Sequence, residues 1–394
     1  MEPTTPQRTL VVRGPFRGHT GHDHHVREFV RSLAGLGVGI QLVDVPDWSP
    51  SRLPEPLADP WFETLAAPVA SANTVHFCMP PQVTPGPGRL DVNYTMFEAT
   101  RVPATWVAHG RRHALVVVPT ESSREAWLRS GFPERCLRVC PLGVDPARFR
   151  PGVAPLDLVD RRGRRVRDYR TRVLNVSEVS PRKNLVRLVR AWLRATHTDD
   201  DAVLVLKLGR SQVGQTLRLL RDVDAMERGL GKTRRDAASI LFYDAVLGDH
   251  EMPALFATAT HYWSMSHGEG WDQPMLEAGA SGLRLIAPAH SAYLAYLDAS
   301  VARLLPSRQV PIRVEHDPWL ATLVGGADWW EPDEDAAIDA IRDALAGRDG
   351  DRASACSRMV GELTWDRAAA RLLEILDELD VGHERRGHMP CADH

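Results

Sequence analysis

The stretch TRVLNVSEVSPRKNLVRLVRAWLRATHTDDDAVLVLKL, residues 171–208, decides the fold. Val173 to Val176 reads as a strand. A helix follows from Leu185 to Ala195, and Val203 to Leu208 is the next strand. Strand, helix and strand in that order form the repeating unit of a doubly wound parallel sheet. The unit continues downstream. A long amphipathic helix is expected from about Val213 to Met226, and a strand at Ile240–Tyr243 precedes a short helix near Met252–Ala257. His261–Met265 is a strand, a loop follows, a helix begins at about Pro274, and Leu283–Ala287 closes the series.

The same order opens the chain. Thr9 to Val12 is a strand, the loop GPFRGHTGH follows, and Val26, Phe29, Val30 and Leu33 recur at helical spacing. Gly35 and Gly37 stop that helix, and Gly39–Val45 is the next strand. Thr74–Met79 and Leu115–Pro119 are further strands, with a helix over Ser122–Ser130 that Gly131 would cap. Residues 46–72 carry no interpretable motif. The turn-rich stretch PLGVDPARFRPGVAPLDLVDRRGRR reads as a linker between domains. The expected organisation is a Rossmann-like domain over 1–150, a linker over 151–170 and a second Rossmann-like domain over 171–362. A last helix over 363–380 and a frayed polar tail over 381–394 complete it. Two such domains imply a cleft with ligands at the carboxyl ends of both sheets, as a two-substrate transferase needs, although hinged binding proteins share that geometry.

Composition narrows the function. The chain has 394 residues, 43% hydrophobic and 25% charged, an ordinary globular balance that can bury a large core. A formal net charge of -3 gives no reason to expect nucleic acid or an anionic membrane as partner. No apolar run reaches the length of a membrane span, and no basic-then-apolar leader opens the chain, so a cytoplasmic protein is expected. The cysteines Cys78, Cys136, Cys140, Cys356 and Cys391 are odd in number and scattered, and are expected to be ordinary thiols. Only Lys183, Lys207 and Lys232 are lysines in an arginine-rich chain, which gives a lysine at any one site more weight.

The segment richest in chemistry is MSHGEGWDQPMLEAGASGLRLIAP, residues 265–288. Seven residues separate Glu269 from Glu277. Gly268 and Gly270 would free the backbone around Glu269, and Pro274 suits a first helical turn with Asp272 or Gln273 near the N-cap. Glu269 is then on a loop facing a helix start, and Glu277 is in the first or second turn. Such a start attracts anions, and carboxylates there can accept paired hydroxyls of a sugar or ribose. Equally, acidic residues in a first turn complement the helix dipole. The residues alone leave both readings open.

The segment resembles the "Glu, seven residues, Glu" motif of retaining glycosyltransferase family 4, which has the GT-B fold. Three further segments match in the right order: PTESSREAWLRSGFPERCLRVCPLGVDPARFRP, LNVSEVSPRKNLVRLVRAWLRA and TWDRAAARLLEILDEL. YTMFEATRVPATWV resembles one branch of the family. The resemblance implies an α/β GT-B fold whose closing helix crosses back to the N-terminal domain. It also implies transfer of a sugar from a UDP- or GDP-type donor to an acceptor hydroxyl, with retention and without a metal or other cofactor. In this reading Arg182 and Lys183 hold the donor diphosphate, and Glu269 orients the sugar with Gly268, Gly270, Trp271, Asp272 and Gln273. Glu277 binds ribose hydroxyls. Gly18 and Gly21 form the N-terminal glycine-rich loop. The family's N-terminal histidine has no clear equivalent, and Glu98 is the candidate polar group facing the reacting carbon. His22, Thr95 and His109 are candidate acceptor contacts.

The histidines His19, His22, His24 and His25 lack preset tetrahedral metal spacing, and the tail set His383, His388, Cys391 and His394 is taken as incidental. Two departures stand out: Glu178 replaces a usual Arg five residues before Lys183, and Asp272 stands where the family often has Gly. They keep an inactive GT-B protein acting as a binding subunit as the alternative. A pyridoxal-phosphate phosphorylase has no supporting pattern around Lys207 or Lys232, and the motifs of a nucleotide-sugar epimerase differ. The acceptor, whether carbohydrate, lipid-linked or small molecule, is not legible; a homodimer is possible. Arginine richness associates the chain with bacterial glycan, glycolipid or natural-product biosynthesis.

Overall fold

The computed structural model describes residues 8–46, 48–49, 52–70, 73–84, 90–209, 214–313, 318–350, 352–386 and 391. The chain forms two compact units. The first comprises the chain up to Gly143, Pro311–Trp329 and the part from Leu363 onward; the second is Val144–Val310 and Trp330–Glu362.

The first unit begins with β1 (Arg8–Arg13), α1 (Gly21–Gly35) and β2 (Val38–Val43). The short α2 (Trp61–Thr64), β3 (Asn73–Phe77), β4 (Leu90–Tyr94) and α3 (Ala104–Gly110) follow. β5 (Leu115–Val118), α4 (Glu121–Arg129) and β6 (Leu137–Val139) complete its N-terminal part. Its sheet is parallel, in the order β2-β1-β3-β4-β5-β6. A capping box starts α1: Thr20 and Asp23 each satisfy the other's backbone N–H. β4 is absent from the sequence reading because LDVNY looks polar. Inside the sheet, Asn93 Nδ2 donates to the carbonyls of His76 (3.1 Å) and Cys78 (2.9 Å), so both N–H groups of its amide are satisfied.

The second unit carries β7 (Thr171–Glu178), α5 (Leu185–Ala195), β8 (Ala202–Gly209), α6 (Gln215–Leu230) and β9 (Ser239–Tyr243). It continues through α7 (Met252–Phe256), β10 (His261–Trp263), α8 (Gln273–Ala280), β11 (Arg284–Pro288) and β12 (Ala302–Leu305). The chain then contributes α9 (Pro318–Val324) to the first unit, α10 (Glu334–Ala346) and α11 (Arg352–Glu362) to the second, and α12 (Trp365–Arg386) to the first. The second sheet is also parallel, in the order β12-β11-β10-β7-β8-β9. β8 is buried over nearly its whole length, as a strand covered on both faces must be. α5 buries Leu185, Leu188, Val189 and Trp192, while Arg190 and Arg194 on its outer side pair with Glu334 of α10.

Three expectations are corrected. Residues 151–170 are not a linker but part of the second unit. Asp160 accepts from the hydroxyls of Tyr169 and Ser239, each at 2.5 Å, and from the N–H groups of Arg162 and Arg164, each at 2.9 Å. That buried hub fastens the turn-rich stretch to β9. The C-terminal helix continues to Arg386, beyond the expected end at 380. Further on, Cys391 is fully buried and joined to Cys136 by a disulfide, so neither cysteine is a free thiol and that part of the tail is anchored. The other three cysteines are free. Of the tail histidines, His388 and His394 lie outside the described residues. Among the described residues, no helix is long and apolar enough to cross a membrane.

α12 packs along α1. Trp365 enters an aromatic cluster with His25 and Phe29, and Arg8 and Asn73 reach Asp377 and Asp380 on the same helix. Gly143 is required here: a Cβ would sit 2.2 Å from the backbone of Thr364 and Trp365.

Candidate functional site

The second unit gathers its candidates at the carboxyl ends of its central strands. β7 leads into a 3₁₀ turn, Pro181–Lys183, that ends at Asn184 in the left-handed conformation (φ 54°) before α5 begins. That sharp turn presents Arg182 and Lys183 on adjacent positions. β10 leads into the loop carrying Glu269, which is 5% exposed. Lys183 Nζ donates to Glu269 Oε1 and Arg182 Nη1 to Oε2, both at 2.7 Å. Arg182 Nη1 also donates to the Gly268 carbonyl at 2.8 Å, locking the turn to the loop. Arg182 Nη2 is 3.3 Å from Glu178, so the acidic residue at the departing position engages the arginine.

Glu269 is therefore paired with two cations. Burial alone would raise its pKa, but Arg182 and Lys183 outweigh burial and hold it down to about 2. Asp272 behaves in the opposite way. Burial, followed by the charge of Glu269, pushes its carboxyl up to about 6. Its backbone is left-handed (φ 62°), so the conformational freedom expected of Gly268 and Gly270 is needed at Asp272 instead. A glycine would fit there without strain.

Asp272 Oδ2 accepts from the Tyr293 hydroxyl at 2.7 Å, and that hydroxyl is 2.7 Å from Ser264 Oγ. Tyr296 donates to the Trp271 carbonyl at 2.8 Å, and its ring packs tilted by 41° against the Trp271 indole, 5.0 Å between centroids. Trp271 is buried. Gln273 begins α8, and its side-chain amide donates to Glu277 Oε1 at 3.2 Å. Glu277 is 3% exposed, one turn into the helix. His290 stacks on Trp330 and hydrogen-bonds the Ser266 carbonyl at 3.0 Å, while burial pushes its pKa down to about 3, leaving it neutral.

The structure thus brings together Arg182, Lys183, Gly268, Glu269, Gly270, Trp271, Asp272, Gln273 and Glu277. Tyr293, Tyr296, Ser264 and His290 belong to the same cluster and were not read from the sequence. They lie on strand ends and on the turn beyond β11, where no motif marks them.

In the first unit, Gly18 and Gly21 follow β1, and Thr95 and Glu98 follow β4, so these four share the carboxyl end of their sheet. Gly18 is needed for internal packing rather than for approach of a ligand: a Cβ would lie 2.4 Å from the Ser49 side chain, and its N–H donates to Asp23 at 2.6 Å. Gly21 borders open space. His22 sits in the first turn of α1 with its ring 4.9 Å from Trp48. Thr95 is buried, its N–H bonded to the Val117 carbonyl at 2.9 Å, and Glu98 is half-buried. His109 does not join them. It ends α3, which leads into the amino end of β5, at the other end of the sheet. His25 is fully buried among Phe29, Phe77, Tyr94 and Trp365 and is a core residue.

No family model matches the sequence, and no curated protein matches it. Solved structures do. HepE from Anabaena, in complex with UDP and glucose, aligns with a TM-score of 0.65 at 12% identity, covering 94% of this chain and 100% of that one. Sucrose-phosphate synthase from Thermosynechococcus elongatus aligns at 0.62 and 16% identity, over 95% and 100% of the two chains. AviGT4, a glycosyltransferase involved in avilamycin A biosynthesis, aligns at 0.60 and 17%, over 95% and 98%. The fold is GT-B. At these identities the likeness concerns architecture: two parallel six-stranded sheets with flanking helices, as described above.

Proposed function

We propose that this chain is a retaining glycosyltransferase of the family-4 type that moves a sugar from a nucleotide-diphosphate donor to an acceptor hydroxyl. The observation that carries the reading is the buried Glu269 clasped by Arg182 and Lys183 beside the start of α8. UDP is the favoured nucleotide, since HepE and a trehalose-phosphate synthase described as UDP-forming share this architecture; a GDP-type donor is the other arm of the test. In use, Arg182 and Lys183 turn from Glu269 to the diphosphate and stabilise the leaving group, so no metal is needed for that charge. Glu269 is then free to accept sugar hydroxyls, and Glu277, already buried at the helix start, accepts those of the ribose. Orientation supplies the remainder of the catalysis. The setting we infer is bacterial glycan, glycolipid or natural-product assembly.

The Glu178–Arg182 contact favours one second reading, a protein that binds the donor without transferring the sugar. Thermal stabilisation by UDP, GDP and their sugars tests the site. A ligand at 100 times its Kd stabilises by about 2.7 kcal/mol. Stabilisation by one nucleotide family, lost in Lys183→Ala and Glu277→Gln with circular dichroism unchanged, is expected. Release of free UDP from a UDP-sugar then separates a transferase from a binding protein.

A further inference from the structure

We propose that Asp272 takes up a proton when the nucleotide-diphosphate donor binds, and presents it at Oδ1 as a hydrogen bond to the ligand. The inference rests on the donor-site reading above.

Geometry comes first. The Asp272 carboxyl is buried, 6% exposed, and Tyr293 fixes Oδ2 at 2.7 Å. Oδ1 is equally enclosed and has no protein partner. A buried carboxylate oxygen without a protein partner is costly, so this position calls for a proton, a ligand or an ordered water. The charged and titratable groups around it come from four elements. Glu269 is on its own loop, Arg182 and Lys183 are on the turn before α5, Tyr262 is on β10, and Tyr293 and Tyr296 follow β11. Both cations hydrogen-bond Glu269, Arg182 also reaching Glu178, and Asp272 Oδ1 has no hydrogen-bond partner among the described residues.

A diphosphate brings further negative charge into this cluster and competes for both cations. Glu269 and Asp272 then face the ligand with less compensation, and like charge disfavours the ionised form. Asp272, already raised to about 6, is the carboxyl that yields. One proton passes from solvent to Oδ1, and no bond in the ligand changes. The resulting O–H donates to a phosphate or sugar oxygen. This differs from a glycine at the same position, which could offer only its backbone.

The test is calorimetric titration with UDP-glucose, whose diphosphate has no ionisation near neutral pH, in buffers of different ionisation enthalpy. At pH 7.5 the wild type is expected to take up as much as one proton per ligand. Uptake declines at pH 5, where Asp272 is already protonated. Affinity falls as pH rises above about 6, approaching tenfold per unit, and levels off once the bound-state pKa is passed. Asp272→Asn supplies an amide N–H in place of the O–H and tolerates the left-handed backbone. It is expected to bind UDP-glucose with no such uptake and with affinity independent of pH over the same range. Wild-type binding without uptake at pH 7.5 overturns the proposal, as does equal uptake in Asp272→Asn. If the variant does not fold, the wild-type buffer series decides alone. Absence of any binding in the folded wild type instead overturns the donor-site reading, and the proposal with it.

Discussion

Asp272 and Glu269 lie three residues apart and respond to pH in opposite directions. The raised pKa of Asp272 means that the folded chain holds its proton more tightly than the unfolded chain does. The stability this contributes is complete below the unfolded pKa, near 4, and is lost as pH rises through about 6. Glu269 is depressed to about 2, so its contribution is present above the unfolded value and is lost only as pH falls through about 2. Asp272→Asn is therefore expected to match the wild type at pH 4 and to exceed it at pH 8, by up to ~3 kcal/mol for a shift of about two units. Guanidinium unfolding at the two pH values measures this; an equal difference at both would contradict it. At this scale Glu269 and Glu277 stand out by type and spacing around a helix start, which by itself also fits dipole complementarity, and Arg182 and Lys183 stand out through the resemblance. Tyr293, Tyr296 and Ser264 do not, because each acts through one hydroxyl whose partner is distant in sequence. Asp272 is legible as a departure, but its left-handed backbone and its buried, unpartnered Oδ1 appear only in three dimensions.

Among the elements, two glycines distinguish a rigid neighbour from a yielding one. A Cβ on Gly143 would meet the backbone at the start of α12, whereas one on Gly279 in α8 would meet the Met359 thioether, at 2.0 Å from sulfur. Backbone cannot step aside cheaply, while a methionine tip can re-orient. Gly143→Ala is expected to cost at least ~2 kcal/mol and Gly279→Ala distinctly less. Thermal unfolding of both variants checks the order. The strands and helices legible in the sequence are those with continuous apolar runs or strong helical spacing, such as β8, α5 and α1. β4 escapes notice because Asp91 and Asn93 interrupt its apolar pattern. The stretch before β7 reads as a linker because its fastening is one aspartate, Asp160, rather than an apolar periodicity.

Over the whole molecule, the doubled strand–helix alternation was sufficient to indicate two parallel sheets. The disulfide was not legible, since Cys136 and Cys391 are 255 residues apart. Closing so long a loop restrains the unfolded chain, and losing such a bond typically costs 2–5 kcal/mol. Cys391→Ser is expected to lower stability by about that amount, and a reductant should destabilise the wild type but leave the variant unaffected. Peptide mapping without reduction identifies the linked pair directly. The first unit is assembled from the beginning, a middle piece and the end of the chain, with the second unit's residues threaded between. During synthesis, β1 to β6 leave the ribosome long before Trp365 exists to fill the cluster around His25 and Phe29, and before Cys391 exists to meet Cys136. The half of the protein made first is thus the half finished last, and a chain stalled at residue 362 would carry an exposed aromatic seam along α1 for chaperones to recognise.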